Sequence, residues 1–218
     1  MTISAVIFDL DGTLLDTLED LGGAVNRVLA GQGFPTHPLA AFRWFVGDGS
    51  RMLMTRALPA DQRSPRLIER CLATLLTDYN QNWHQKTRPY DGIEALLAAL
   101  TARRIEMAVV TNKPHQFTGQ MVTHYFPGVP FRAVLGQQEA IAKKPDPVQA
   151  LAAARTMGAA PEACLFLGDS GVDMETARRA GMAGVGAAWG FRTVEELRGA
   201  GARYIIDRPL ELLALLAA

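Results

Sequence analysis

The chain has 218 residues, 49% of them hydrophobic, which suits one large domain, or a domain with a small insert, around a full core. Lysine plus arginine total 22 and aspartate plus glutamate also total 22, so the charge balance gives no reason to expect nucleic acid or an anionic membrane as a partner. No apolar run reaches the length of a membrane span, and the N-terminus lacks the basic start and apolar stretch of a signal peptide, so a cytoplasmic protein is expected.

The first predicted strand, Ile3–Phe8, runs directly into Asp9, and a second carboxylate follows at Asp11. Between Thr17 and Arg88 β-branched runs are scarce. Helices are predicted near Leu18–Ala30, Leu39–Val46, Ser50–Leu58 and Pro65–Trp83, with turn signals such as "GQGFPTHP" between them. From about residue 90 onward, short apolar runs alternate with amphipathic segments. Strands are predicted at Ile105–Val110, Phe131–Leu135, Ala163–Leu167, Gly184–Ala187 and Arg203–Ile206. Helices are predicted at Gly92–Ala102, Pro114–Tyr125, Pro147–Met157, Val172–Ala180, Thr193–Ala200 and Pro209–Leu216. This β-α alternation predicts an α/β fold, a parallel sheet with helices on both faces, with a helical insert after its first strand. The expected boundaries are 1–16 with 89–218 for the core and 17–88 for the insert. Cys71 and Cys164 lie far apart without metal-ligand spacing and read as buried free thiols of a reducing compartment.

Four stretches at predicted strand ends carry the chemistry: "DLDGT" (Asp9 to Thr13), "TN" (Thr111–Asn112), "KKPDP" (Lys143 to Pro147) and "GDSGVD" (Gly168 to Asp173). Ligands of open parallel sheets bind at the carboxyl ends of the strands, where residues distant in sequence converge. Each stretch alone has a plainer reading. "DLDG" matches the start of a calcium loop, but the glycine such a loop needs at its sixth position is Leu14 here. "TN" reads as a turn or helix cap, "KKPDP" as a stiff charged loop, and Asp169 as the N-cap of the next helix. Their conjunction, in this order and always after strands, points instead to one site.

With these four motifs the chain resembles the phosphatase branch of the haloacid dehalogenase superfamily with an α-helical cap of the first type, along nearly its whole length. The resemblance implies a Rossmann-like core with an inserted helical cap, and motif positions at Asp9/Asp11, Thr111, Lys144 and Asp169/Asp173. It further implies Mg2+ as cofactor, held by Asp9, the backbone carbonyl of Asp11 and Asp169, with Asp173 as a further ligand or an orienter of bound water. Asp9 would be the nucleophile, forming an aspartyl-phosphate that divides one hard step into two easier ones. Asp11 would protonate the leaving oxygen and then activate water, a role that requires it to hold a proton. Thr111 would donate to the transferring phosphoryl group, with Asn112 beside it in the substrate site. Lys144, chosen over Lys143 because the family lysine directly precedes a proline, would bridge Asp9 and the phosphoryl oxygens. Gly12 lets backbone amides approach the phosphate.

Within the superfamily, "FVGDGSRMLMTRAL", "TNKP", "KPDPVQAL" and "GVGAAWGF" resemble the phosphoglycolate phosphatase group, which splits 2-phosphoglycolate into glycolate and phosphate. Gly47 and Gly49 suit a tight cap loop, and Arg51 just after it is a candidate partner for the substrate carboxylate, although a helix-joining turn and a solvated arginine are the plain alternatives. Trp44, Trp189 and Phe191 read as packing residues. The expected protein is a monomer or homodimer acting on a small phosphorylated metabolite. The alternatives are a broad small-phosphate or pyrophosphate hydrolase, a phosphosugar mutase and a non-catalytic phosphate-binding protein. The paired acids argue against the last, because binding an anion does not call for two carboxylates.

Overall fold

A computed structural model describes residues 2–217. The chain divides into two compact units: one holds the residues up to Leu15 and those from Pro89 onward, the other is Asp16–Arg88.

The larger unit is built on strand β1 (Ala5–Phe8), whose four residues are all buried. Two short strands, β2 (Leu15–Asp16) and β3 (Arg88–Pro89), pair where the chain passes out of this unit and returns to it. The remaining elements alternate: α5 (Ile93–Ala102), β4 (Glu106–Pro114), α6 (His115–Tyr125), β5 (Phe131–Gln137), α7 (Val148–Thr156), β6 (Cys164–Gly168), α8 (Gly171–Ala180), β7 (Ala183–Ala187), α9 (Val194–Gly199) and β8 (Tyr204–Ile206). Six strands form one sheet in the order β5-β4-β1-β6-β7-β8, with every pair parallel. The connections run outward in both directions from β1, and the crevice beside such a reversal is where open α/β sheets hold ligands.

Register makes the crevice a site. Phe8 lies opposite Val109 on one side and Leu167 on the other, so the end of β1 is flanked by both neighbours, and β4 runs on beyond it. One sheet face is covered by α7 and α8 through small residues. Ala150, Ala153 and Ala177 pack with Ile7, Val110 and Phe166, and their short side chains let helix and sheet approach closely. Cys164 belongs to this layer, and Cys71 is likewise buried and free. Burial, with Glu162 nearby, pushes the Cys164 thiol up to about 11, which leaves it unreactive.

The smaller unit holds α1 (Leu18–Gly31), α2 (Leu39–Phe45), α3 (Ser50–Ala57) and α4 (Pro65–Asn82). Leu21, Val25, Val28 and Leu29 repeat at helical spacing on the buried side of α1. Ser64 caps α4 by accepting from Leu67 N, with Pro65 at the first helical position. Asp20 is buried on α1 and accepts from Lys86 N, Thr87 N and Thr87 Oγ1, tying the start of the unit to its end.

Besides the short β2 and β3, which the sequence reading lacks, two elements differ from it. Strand β4 continues past Val110 to Pro114, with an irregular pairing in which Val110 faces Leu135 but Pro114 faces Gln137. The extra residues bulge, and the bulge presents Thr111, Asn112 and Lys113 at the strand end. The helix expected at Pro209–Leu216 is a 3-10 helix, Pro209–Ala217.

Candidate active site

Asp9 follows β1 and donates its backbone N–H to Leu167 O at 2.9 Å, which extends the pairing with β6 by one residue. The chain then turns tightly. Thr13 N, Leu14 N and Leu15 N all approach Leu10 O, and Gly12 sits at φ 85°, where a side chain would be strained. A Cβ at Gly12 would also stand 2.3 Å from Asp169 Oδ2, so the two loops meet through the missing side chain.

Beyond β6, Ser170 caps α8 in a reciprocal box: Ser170 N and Oγ donate to Asp173 Oδ2 at 3.1 and 2.6 Å. The other oxygen, Asp173 Oδ1, accepts from Lys144 Nζ at 2.6 Å. The same ammonium lies 2.8 Å from Asp9 Oδ1, an ionic contact without hydrogen-bond alignment, so that oxygen has no hydrogen-bond donor. Lys144 reaches the cluster from the loop after β5. Its backbone is held by Asn112, whose Oδ1 accepts from Lys144 N at 2.9 Å and whose Nδ2 donates to Lys144 O at 3.1 Å.

Asp9, Asp169 and Asp173 bring carboxylate oxygens within 4.8 Å of one another, all buried. Burial, reinforced by Asp173 and Asp11 against the pull of Lys144, raises Asp9 to about 6. Burial together with Asp173 and Asp9 also pushes Asp169 well above the usual carboxylate range. Lys144 is raised: burial works against its charge, but Asp173 and Asp9 outweigh it. Three buried acids around one ammonium leave an excess of negative charge and hard oxygen donors, one of them undonated. This donor set fits a divalent cation held by Asp9 and Asp169. Asp173 stands within the cluster, but both its oxygens already accept from Lys144 and Ser170, so its observed work is to orient that lysine.

Thr111 is buried at the end of β4, where its Oγ1 accepts from Lys113 N at 3.3 Å. Asp11 stands apart from the cluster, its two oxygens 3.0 and 3.2 Å from Lys113 Nζ. Two of the residues singled out in the sequence have other partners in this structure. Asn112 orders the Lys144 backbone through both ends of its amide. Arg51, on the smaller unit, forms an ion pair with Glu69, the two side chains 61% and 49% exposed. Gly49 holds φ 86° just before α3, the left-handed conformation that favours glycine, as does Gly47 at φ 121°.

Four residues with site contacts escaped the sequence reading or were given only packing roles. Lys113 lies two residues from Thr111 in the stretch where β4 bulges, so no strand period in the sequence marks it. Ser170 completes the box with Asp173. Phe191 N donates to Asp169 Oδ2 at 2.7 Å, and Trp189 Nε1 donates to Thr13 O at 3.0 Å, so the "AWGF" loop latches both acidic loops.

The model of the haloacid dehalogenase-like hydrolases matches residues 6–187. The chain belongs to this family. It is 36% identical to a phosphoglycolate phosphatase of Pseudomonas putida KT2440 over 215 residues, covering 97% of this chain and 78% of that protein. It is also 33% identical to an N-acetylmuramic acid 6-phosphate phosphatase of Pseudomonas aeruginosa over 217 residues, covering 99% and 96%. The crystal structure of a predicted phosphoglycolate phosphatase from Haemophilus somnus 129pt superposes with a TM-score of 0.89 at 26% identity, over 99% of this chain and 98% of that one. A crystallised protein of Lactobacillus delbrueckii subsp. bulgaricus reaches 0.94 at 29% identity over 100% of both chains.

In this family member Gly190 is a sensitive point. A Cβ there would stand 2.1 Å from Asp169 Cβ and 2.6 Å from Gly12 O, so Gly190→Ala must push Asp169 from its place. The expected result is a folded protein whose phosphatase activity falls at least about tenfold, with a higher metal concentration needed for half-saturation. Titration of activity against magnesium checks it, and an unchanged half-saturation point would mean that Asp169 does not hold the ion.

Proposed function

We propose that this chain hydrolyses a small phosphomonoester through an aspartyl-phosphate on Asp9, with 2-phosphoglycolate as substrate. The observation that carries this reading is the placing of Asp9 at the end of the central strand. There it lies against Lys144 and beside Asp169, while Asp11, two residues on, is held separately by Lys113. This separation supports reading one carboxylate as the attacking group and the other as the group for proton transfer. Asp9 attacks phosphorus as the ester P–O bond breaks, and Asp11 gives its proton to the departing oxygen. Asp11 then takes a proton from the water that releases phosphate from Asp9. Lys144 and the Thr111 hydroxyl hold the phosphoryl oxygens, and Gly12 keeps the loop's N–H groups close to them. Mg2+, the divalent ion for which Asp9, Asp169 and the Asp11 carbonyl are the proposed ligands, supplies charge neutralisation between a carboxylate and a phosphate dianion.

The Asp16–Arg88 unit is proposed as the substrate-selecting cap. Arg51 there is exposed and its pair with Glu69 is of the kind worth little, so exchange of Glu69 for a substrate carboxylate would cost little. A second reading has support of its own. The similarity to the N-acetylmuramic acid 6-phosphate phosphatase spans nearly the whole of both chains, whereas the Pseudomonas putida phosphoglycolate phosphatase extends beyond the match.

Phosphate release decides between these readings when kcat/KM is compared for 2-phosphoglycolate, N-acetylmuramic acid 6-phosphate, pyrophosphate, hexose phosphates and p-nitrophenyl phosphate. The expected order places 2-phosphoglycolate first, and a higher value for the sugar ester would transfer the assignment to it. Exhaustive chelation is expected to abolish all of these activities, and added magnesium to restore them. Full activity in metal-free buffer would remove the ion from the mechanism.

A further inference from the structure

Among the described residues, two lysines are buried, Lys144 and Lys113. The first serves Asp9 and Asp173. The second lies outside the motifs that place the phosphoryl group, yet its ammonium straddles the Asp11 carboxylate at 3.0 and 3.2 Å, with side chains only 2% and 12% exposed. A pair this dry gives up hydration on both partners and adds little net stability, so geometry is the better explanation for its presence.

The lysine is itself well anchored. Thr118 Oγ1 donates to its carbonyl at 3.3 Å, and across from it Gly136 leaves so little room that a Cβ there would stand 2.8 Å from Lys113 O and 2.4 Å from Thr118 Oγ1. The β4 bulge therefore sets the lysine backbone, and the lysine sets a carboxylate on the loop after β1.

We propose that Lys113 is a positioning residue for Asp11. It holds the carboxylate toward β4, at the place of the departing ester oxygen, and keeps it from swinging toward Asp9 and Asp169. The inference rests on reading Asp11 as the acid/base, though not on which phosphate ester is the substrate. The proton that Asp11 delivers goes to the ester oxygen as the P–O bond breaks, and it returns from the attacking water. Loss of Lys113 misplaces this transfer, and the cost falls on leaving groups that need a proton.

The test uses Lys113→Gln and Lys113→Arg in the whole chain, with folding checked by circular dichroism. Kinetics are measured on p-nitrophenyl phosphate and on whichever of 2-phosphoglycolate, glycerol 3-phosphate and N-acetylmuramic acid 6-phosphate the unaltered protein turns over best. For Lys113→Gln, kcat on the alkyl ester is expected to fall roughly ten- to hundredfold, and on p-nitrophenyl phosphate less than about threefold. KM and the magnesium half-saturation stay unchanged. Lys113→Arg, which keeps the charge, recovers part of the alkyl rate and retains the same direction of selectivity. Equal fractional losses on the two esters, in either variant, would overturn the proposal by showing a general structural role. A rise in KM with kcat preserved would overturn it in favour of direct substrate binding. Should Lys113→Gln fail to fold, the Arg variant alone decides by the same comparison. Failure to hydrolyse 2-phosphoglycolate would count against the substrate assignment and leave this test intact.

Discussion

Asp9→Asn is expected to abolish turnover and, in metal-free buffer, to make the protein more stable. Asparagine cannot form the acyl-phosphate, and loss of a covalent nucleophile costs on the order of 10⁶-fold in kcat. The stability gain follows from the site's electrostatics. Burial outweighs the pull of Lys144 and, with smaller contributions from Asp173 and Asp11, raises the Asp9 carboxyl from 3.8 to about 6. A carboxyl whose folded value lies above its unfolded one favours the folded state less as pH rises. The penalty is absent below pH ~4, develops between roughly 4 and 6, and is constant above. The rise from 3.8 to about 6 corresponds to about 3 kcal/mol. Thermal unfolding of Asp9→Asn and the unaltered chain in chelator should therefore diverge from about pH 4 upward, with the variant the more stable at pH 7. Curves that coincide across this range would mean that Asp9 carries no such strain, and residual magnesium-dependent turnover would displace it as nucleophile.

The opposite sign is expected for Lys144→Met. Its ammonium lies 2.8 Å from Asp9 Oδ1 and 2.6 Å from Asp173 Oδ1. Without it, Asp9 and Asp173 lose the ammonium they share, and Asp9, Asp169 and Asp173 remain buried together. Breaking a buried ion pair from one side costs about 3–5 kcal/mol, much more than the intact pair contributes, because a charge is left unpaired. Lys144→Met should lose measurable activity and much of its stability at pH 7.5. Acidification to about pH 5 should return part of the stability, since Asp9 and Asp169 then protonate more readily. The double variant Asp9→Asn/Lys144→Met should also recover stability, without activity. Thermal unfolding at the two pH values reads both effects, and a Lys144→Met protein equally stable at each would mean that the acids do not depend on this lysine. Lys144→Arg is no substitute, because a planar guanidinium cannot replace a point charge reached by two carboxylates.

The expected contrast between these variants follows from how the charges of the site are arranged. A buried carboxylate with a raised pKa is expected to weaken the fold, a lysine between two acids partly offsets it, and the remaining negative charge is what a divalent cation would neutralise. Sequence alone carried the chemical types and their order. Asp9, Asp11, Thr111, Lys144, Asp169 and Asp173 each follow a strand or a strand-proximal loop, and strand ends of a parallel sheet converge on one edge. The alternation of apolar runs and amphipathic segments was enough to predict the six strands of the sheet, because burial on both faces gives short apolar stretches bounded by turns.

Which groups touch was settled only by tertiary structure. Nothing local to Asn112 distinguishes a substrate contact from an amide spent on the Lys144 backbone, 32 residues away. Nothing local to Asp173 shows that its oxygens are taken by Lys144 and Ser170. Lys113 meets Asp11 across 102 residues because β4 pairs with β1 and bulges past Val110, a register irregularity that hydrophobic period does not record. Gly190 reads as an ordinary loop glycine until Asp169 and the Gly12 carbonyl are seen to fill the space its side chain would need. Residue type determines what a group can do as acid, base or ligand. Its partners depend on long-range strand pairing and close packing, which bring together positions that the chain order keeps far apart.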